Sequence, residues 1–321
     1  MIDEVIKEIN RADTILVAGH IMPDGDDVSS ICSLVMGLEK YGKKVIGAID
    51  DEIPGYLEEL PILKEKIRDF DCVKNTPADL IIIVDASSPD RVGRIQELFE
   101  YKRIVVIDHH ATNLNFGHVN WVDATSASTA QLVFKLNQKL GVKYDEELAT
   151  INLLGVATDT GFFKYSNTNA QVFEDVSKLV SFGGNISYIT NAILENKPIE
   201  NVLLFKDVIE NLKFKKDKKI AYTYVSLDML KKYNILPKNT PPFVGDLRSL
   251  KGVEVAIVFN EHEKNVFHTS MRSKKYFDVS EVALHFGGGG HVRAAGFSKE
   301  SDNIEKLMEE VTDYIAEKME K

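Results

Sequence analysis

Three short apolar runs stop abruptly at histidine or aspartate: Thr14–Gly19 runs into His20, Leu80–Val84 into Asp85, and Ile104–Ile107 into Asp108. Runs this short and this continuously apolar read as strands buried on both faces, the mark of a parallel sheet. Helical patterns lie between them at Val28–Lys40 and Val92–Tyr101, and a further strand is expected over Val45–Ile49. Strands alternating with helices predict right-handed βαβ units and an α/β fold. In an open parallel sheet, ligands bind beyond the carboxyl ends of the strands, so the three polar clusters should converge in one crevice.

Helices are expected over Thr129–Leu140, Glu146–Thr158 and Ala170–Ser181, the last ending at the stop signal Gly183-Gly184. A helical stretch, Ile199–Leu212, then leads to strands at Ile220–Val225, Val253–Phe259 and Val266–Met271. The charged Lys215–Lys219 segment reads as a hairpin turn and a solvated loop. A final helix, about Asn303 to Met319, spaces Ile304, Leu307, Met308, Val311, Tyr314 and Ile315 on one face for core packing. With 321 residues, two domains are expected, the boundary falling near 185–200. The division is 1–185, a helical linker 186–212, and 213–321.

The formal charge of −10 argues against a protein that coats long duplex nucleic acid, which needs many clustered Lys and Arg. The deficit is uneven: residues 1–200 hold 19 basic against 31 acidic side chains, and 201–321 hold 20 against 18. That split fits a cation-binding half beside a half able to meet an anion. Cys32 and Cys72 have neither zinc-like spacing nor disulfide density. The N-terminus lacks the form of a signal peptide, and no apolar run approaches the ~20 residues that span a bilayer. A cytoplasmic location without membrane contact is the expectation.

The clusters are His20-Ile-Met-Pro-Asp24-Gly-Asp26, Asp85, and Asp108-His109-His110, with Asp159 at the end of a predicted helix as a fourth. A single aspartate after a strand is an ordinary helix cap or turn residue. Several in one crevice repel, and must be protonated or charge-compensated. Asp24, Asp26, Asp85 and Asp159 carry four charges, which two divalent cations would balance. Oxygen-rich ligation with a few imidazoles suits Mn²⁺ or Mg²⁺, and a two-metal clamp is suited to phosphoester hydrolysis.

His20-x3-Asp24-x-Asp26, Asp85 in Val-Asp-Ala-Ser, Asp108-His109-His110, and Asp159 in Gly-Val-Ala-Thr-Asp-Thr-Gly resemble the four motifs of the DHH phosphoesterase superfamily. Phe286-Gly287-Gly288-Gly289-Gly290-His291 with Ala294-Ala295-Gly296-Phe297 is similar to the associated DHHA1 domain. The resemblance implies a parallel-sheet DHH domain with helices on both faces, a smaller α/β DHHA1 domain, and a cleft between them. Within the superfamily, the length resembles the stand-alone NrnA-type enzymes. These degrade very short oligoribonucleotides and convert adenosine 3′,5′-bisphosphate (pAp) to AMP.

By that resemblance His20, Asp24 and Asp85 hold one Mn²⁺, and Asp26, Asp85, His109 and Asp159 the other, with Asp85 bridging. Mg²⁺ or another divalent cation is the alternative. His110 contacts the scissile phosphate or serves as an acid, and Asp108 orients a neighbouring histidine. The sequence departs from the pattern at Asp27 and Ser29, where Ala-x-Gly is usual, and at Gln131, where Glu is frequent.

Gly287–Gly290 read on their own as a flexible turn. The resemblance instead makes Gly288, Gly289, Gly290 and His291 a substrate-binding loop, joined by Arg272 and Ser273 as a phosphate grip. Arg293 and His285 are weaker candidates, His285 being placed on the apolar face set by Val282 and Phe286. Tyr165 and Phe163 could stack on a base or belong to the core. His118 and Trp121 fall in a local strand. The expected substrates are short RNA or DNA oligonucleotides and nucleotide bisphosphates, and a homodimer is suggested by resemblance alone. The alternatives are a phosphodiesterase of linear or cyclic dinucleotides and, in another class, a nucleotide-binding regulatory protein without turnover.

Overall fold

The computed structural model describes residues 1–320, which form two compact units, one over Met1–Asn196 and the other from Lys197 onward. In the first unit the order is α1 (Ile2–Arg11), β1 (Thr14–Ala18), α2 (Gly25–Lys40), β2 (Lys44–Ile49), α3 (Pro61–Lys66), β3 (Ile67–Asp69), α4 (Phe70–Val73) and β4 (Leu80–Val84). Then come β5 (Arg103–Asp108), β6 (Val119–Val122), α5 (Thr129–Lys139), α6 (Glu146–Asp159), α7 (Ala170–Ser181) and α8 (Ile186–Leu194). All six strands are parallel, in the spatial order β3-β2-β1-β4-β5-β6. The order reverses between β1 and β4, so a crevice opens at their carboxyl ends.

Alternation along each strand divides the core. Ile15, Val17, Ile82, Val84, Val105 and Ile107 pack on one face with residues of α1, α2, α5 and α6. Leu16, Ala18, Ile81, Ile83, Ile104 and Val106 pack on the other with Phe70, Val73, Val92 and Ile95. The α-helix expected over Val92–Tyr101 is absent. Pro89–Phe99 forms 3-10 turns instead, broken at Gly93, whose φ of +57° and ψ of −140° no helix accommodates.

The second unit comprises α9 (Ile199–Glu210), β7 (Lys213–Lys215), β8 (Ile220–Val225), α10 (Leu227–Lys232), α11 (Val244–Ser249), β9 (Val255–Glu263), β10 (Val266–Ser273), α12 (Val279–His285), β11 (Gly289–His291), β12 (Ala294–Glu300) and α13 (Ile304–Lys318). Its sheet runs β11-β12-β10-β9-β8-β7, with only β8 and β9 parallel. Ile220, Val255, Ile257 and Phe267 face α12 and α13, while Ala221, Ala256 and Val258 face α9 and α11. Lys216, Asp217 and Lys218, all at positive φ, make the expected turn between β7 and β8.

Candidate metal centre

The crevice residues come from strand ends and helix ends. After β1 the chain reaches His20, and Asp24 then caps α2, its Oδ1 accepting from the N–H groups of Asp26 at 2.9 Å and Asp27 at 3.1 Å. That cap sets Asp26 and Asp27 in the buried first turn of α2. Asp85 follows β4 in a left-handed conformation, φ +56°, uncommon outside glycine and costly unless neighbours enforce it. Asp108 ends β5, His109 and His110 follow it, and Asp159 is the last residue of α6.

The metal-type donors expected from the sequence lie together. One ligand atom each from His20, Asp24 and Asp85 fall within 4.8 Å of one another, as do those of Asp26, His109 and Asp159. Asp85 Oδ2 is 3.7 Å from His20 Nε2, and Asp85 Oδ1 is 3.6 Å from His109 Nε2. His109 Nε2 is also 3.6 Å from Asp159 Oδ2 and 3.9 Å from Asp26 Oδ2. These separations are too long for hydrogen bonds. They match the gap between two donors that share one cation at bonds of about 2.1 Å. The set is oxygen-rich with single imidazoles and suits a divalent cation.

Electrostatics favour such a cation. Burial first, then the charges of Asp85, Asp159 and Asp24, push the Asp26 carboxyl well above its usual range. Asp85 is also pushed well above it, by burial and, against the pull of His110, by Asp24 and Asp108. Burial raises Asp27 to about 7, although His20 opposes it. Its Oδ2 is buried without a hydrogen-bond partner. Carboxylates so crowded ionise together only with added positive charge.

Asp108 Oδ1 accepts from the backbone N–H of His109 and His110 and lies 2.7 Å from His110 Nδ1. Burial works to raise Asp108, but the hydrogen bond and charge of His110 hold it below the ordinary range. Burial opposes charge on His110, yet the Asp108 hydrogen bond and the charge of Asp85 raise it to about 9.

Sequence reading missed the groups that hold these side chains. The Thr129 Oγ1–H donates to Asp85 Oδ1 at 2.7 Å. The first N–H groups of α5, from Thr129 and Ala130, donate to Asp26 Oδ2 at 2.7 Å and Oδ1 at 2.9 Å. Asn113 donates to Asp108 Oδ2 at 2.5 Å, and Asn167 donates to the carbonyls of Ala127 and Asp159. Ser128 and Gln131 mark the start of α5 in the sequence, but nothing there announces that it abuts Asp26.

Two departures from the family pattern have structural employment. Ser29 donates to the Ile151 carbonyl and accepts from Gly155 N–H, pinning α2 to α6. Gln131 accepts from Ala127 N–H and donates to Asp175.

In the second unit, Gly287–Gly290 do not form a loose turn. Gly287, at φ +84°, ends α12, and Gly289–His291 pair with β12 as a strand. A Cβ on Gly288 would lie 2.1 Å from the Gly296 carbonyl oxygen, so only glycine permits this close approach. Arg272 and Ser273 end β10, where Arg272 pairs with Ala294 and Ser273 N–H bonds to the Arg293 carbonyl. The Arg293 guanidinium donates to the Phe277 carbonyl at 2.6 Å. His285 is not on the apolar face: it is exposed and stacks on Tyr314, ring centroids 4.1 Å apart. Phe163 packs on Phe173, and Trp121 is buried in β6.

The model of the DHH family N-terminal domain matches residues 14–156, and that of the DHHA1 domain matches 217–317. The chain is 31% identical over 320 residues to the bifunctional oligoribonuclease and PAP phosphatase NrnA of Thermus thermophilus, covering 99% of this chain and 94% of that protein. It is 26% identical to the Bacillus subtilis protein of the same name, covering 92% of each. The structure of an exopolyphosphatase-related protein from Bacteroides fragilis superposes with a TM-score of 0.89 at 26% identity, over 99% of this chain and 95% of that one. Among the described residues, no helix is long and apolar enough to cross a membrane. Near-complete coverage at this identity, over both domains, means that the chain belongs to the DHH–DHHA1 phosphoesterase family and is a hydrolase of phosphoester bonds.

Proposed function

We propose that this hydrolase degrades very short oligoribonucleotides to 5′-mononucleotides and converts pAp to AMP, using two Mn²⁺ ions. The observation that carries the reading is the division of Asp85, one oxygen toward His20 and the other toward His109, which fits one carboxylate shared by two cations. The names of the relatives at 31% and 26% identity support the substrate class.

His20, Asp24 and Asp85 would hold one ion, and Asp26, Asp85, His109 and Asp159 the other. Two divalent ions supply Lewis acidity and lower the pKa of a water nucleophile. Asp108 anchors His110 through Nδ1, leaving Nε2 to donate a proton toward a phosphoryl or leaving-group oxygen. Thr129 and the start of α5 fix the orientation of Asp85 and Asp26. In this reading residues 1–185 carry the catalytic set. The 186–212 segment links them to 213–321, where Arg272, Ser273, Gly288, Gly289, Gly290 and His291 grip a substrate phosphate.

The test is a panel of pAp, a 5′-phosphorylated dinucleotide, longer RNA, cyclic dinucleotides and pyrophosphate, each incubated with pure protein and Mn²⁺. Release of phosphate from pAp and of mononucleotides from the dinucleotide is expected, with slower attack on the rest. Failure on both favoured substrates would sink the proposal.

A further inference from the structure

Arg91 lies in the 3-10 turns that follow β4, where the Ile21 N–H donates to the Arg91 carbonyl at 2.7 Å. The backbone is thereby fixed beside the His20 loop. The side chain is half-buried, and among the described residues its one hydrogen-bond-range contact is Nη2 to His20 Nδ1 at 3.2 Å. No carboxylate of the described residues pairs with it, although Arg94, three residues on, pairs with Asp50 at 2.6 Å and Arg103 pairs with Glu8 at 3.2 Å.

The His20 contact does not satisfy the guanidinium. His20 Nδ1 is also 2.8 Å from the Ile21 carbonyl oxygen. A carbonyl only accepts and a guanidinium only donates, so one ring nitrogen serves just one of them. When Nε2, which faces Asp85, acts as a donor atom to a cation, the ring proton sits on Nδ1 and goes to Ile21. The guanidinium of Arg91, half-buried and with its charge acting on the nearby Asp27 carboxyl, then keeps its donors available to an arriving anion. Its planar fork suits a phosphate.

Position decides which phosphate. The imidazole of His20 has the guanidinium on its Nδ1 side and Asp85, the carboxylate assigned to both cations, on its Nε2 side. A phosphate reacting beside Asp85 is therefore screened from Arg91 by one ring. We propose that Arg91 binds a second phosphoryl group of the substrate, adjoining the one that is hydrolysed. This inference rests on the phosphohydrolase reading. It makes the first unit selective for ligands with two phosphates, such as pAp or a 5′-phosphorylated dinucleotide.

The experiment compares pAp with 3′-AMP, which lacks the second phosphate, for wild type, Arg91→Ala and Arg91→Lys, together with calorimetric Mn²⁺ titrations and melting curves. Loss of charge-assisted hydrogen bonds predicts that Arg91→Ala raises KM for pAp by about 10- to 100-fold, with little change for 3′-AMP. Arg91→Lys should recover part of the loss, and Mn²⁺ affinity should be unchanged. Equal losses on both substrates, or a parallel loss of Mn²⁺ affinity, would make Arg91 a structural prop for His20 and overturn the proposal. Wild type active on pAp with an unaltered pAp to 3′-AMP ratio in Arg91→Ala would overturn this inference alone. Wild type inactive on pAp would overturn the functional reading with it.

Discussion

The hydroxyl of Thr129 donates to Asp85 Oδ1 at 2.7 Å, and both residues are buried. Asp85 sits in a left-handed backbone conformation that a non-glycine residue keeps only when its surroundings over-determine it. Thr129→Val removes that hydrogen bond at nearly constant volume. Mn²⁺ affinity by calorimetry should fall about 10- to 100-fold, as is usual when a group orienting a metal ligand is lost. Thr129→Ser should keep most of it. Undiminished affinity in the valine variant would contradict the orienting role.

Asp108 raises His110 by hydrogen bonding and charge, against the opposing effect of burial. Asp108→Asn keeps the shape and removes the anion. If His110 donates the proton, the alkaline limb of the pH–kcat profile should move to lower pH in this variant. A limb that stays in place would remove His110 from proton transfer.

Asp26 and Asp85 are held well above the carboxylate range, Asp27 is raised to about 7 and His110 to about 9. Each binds more protons folded than unfolded between its ordinary pKa and its raised one, so stability falls as pH rises through that interval. Asp24 and Asp108, held below the ordinary value, titrate beneath it and do not offset this. Metal-stripped protein should therefore melt at progressively lower temperature from about pH 5 to pH 9, and Mn²⁺ should reverse the decline at the alkaline end. A flat or rising profile would count against the crowded carboxylates.

Gly288 abuts the Gly296 carbonyl, whereas Gly289 has nothing near its Cβ position. Gly288→Ala should destabilise the second unit by about 1–3 kcal/mol through overpacking, and Gly289→Ala should leave stability unchanged. Equal melting temperatures for the two variants would refute the close packing of Gly288 against β12.

The parallel sheet was legible because its central strands are short, wholly apolar and ended by polar residues; Leu80–Val84 and Ala170–Ser181 have the same limits in sequence and structure. His20, Asp85 and His109 were legible because they follow such ends, Asp24 and Asp26 because they lie in the same short cluster as His20, and Asp159 because it closes a predicted helix. Less visible were elements governed by a single backbone exception. Gly93 turns a helical-looking pattern into 3-10 turns, and Gly288 lets a glycine run become a strand. Thr129, Asn113 and Arg91 were hidden for another reason. Their partners lie 44, 5 and 71 residues away, and ordinary polar residues carry no mark of what they will touch.

The most direct measurement is phosphate release from pAp by wild type and Asp85→Asn, after exhaustive chelation and again after Mn²⁺ is restored. Shared ligation by Asp85 predicts no release from stripped wild type, recovery with Mn²⁺, and no recovery in the variant. Full activity in excess chelator, or Mn²⁺-restored activity in Asp85→Asn equal to that of wild type, would contradict a two-cation centre built on Asp85.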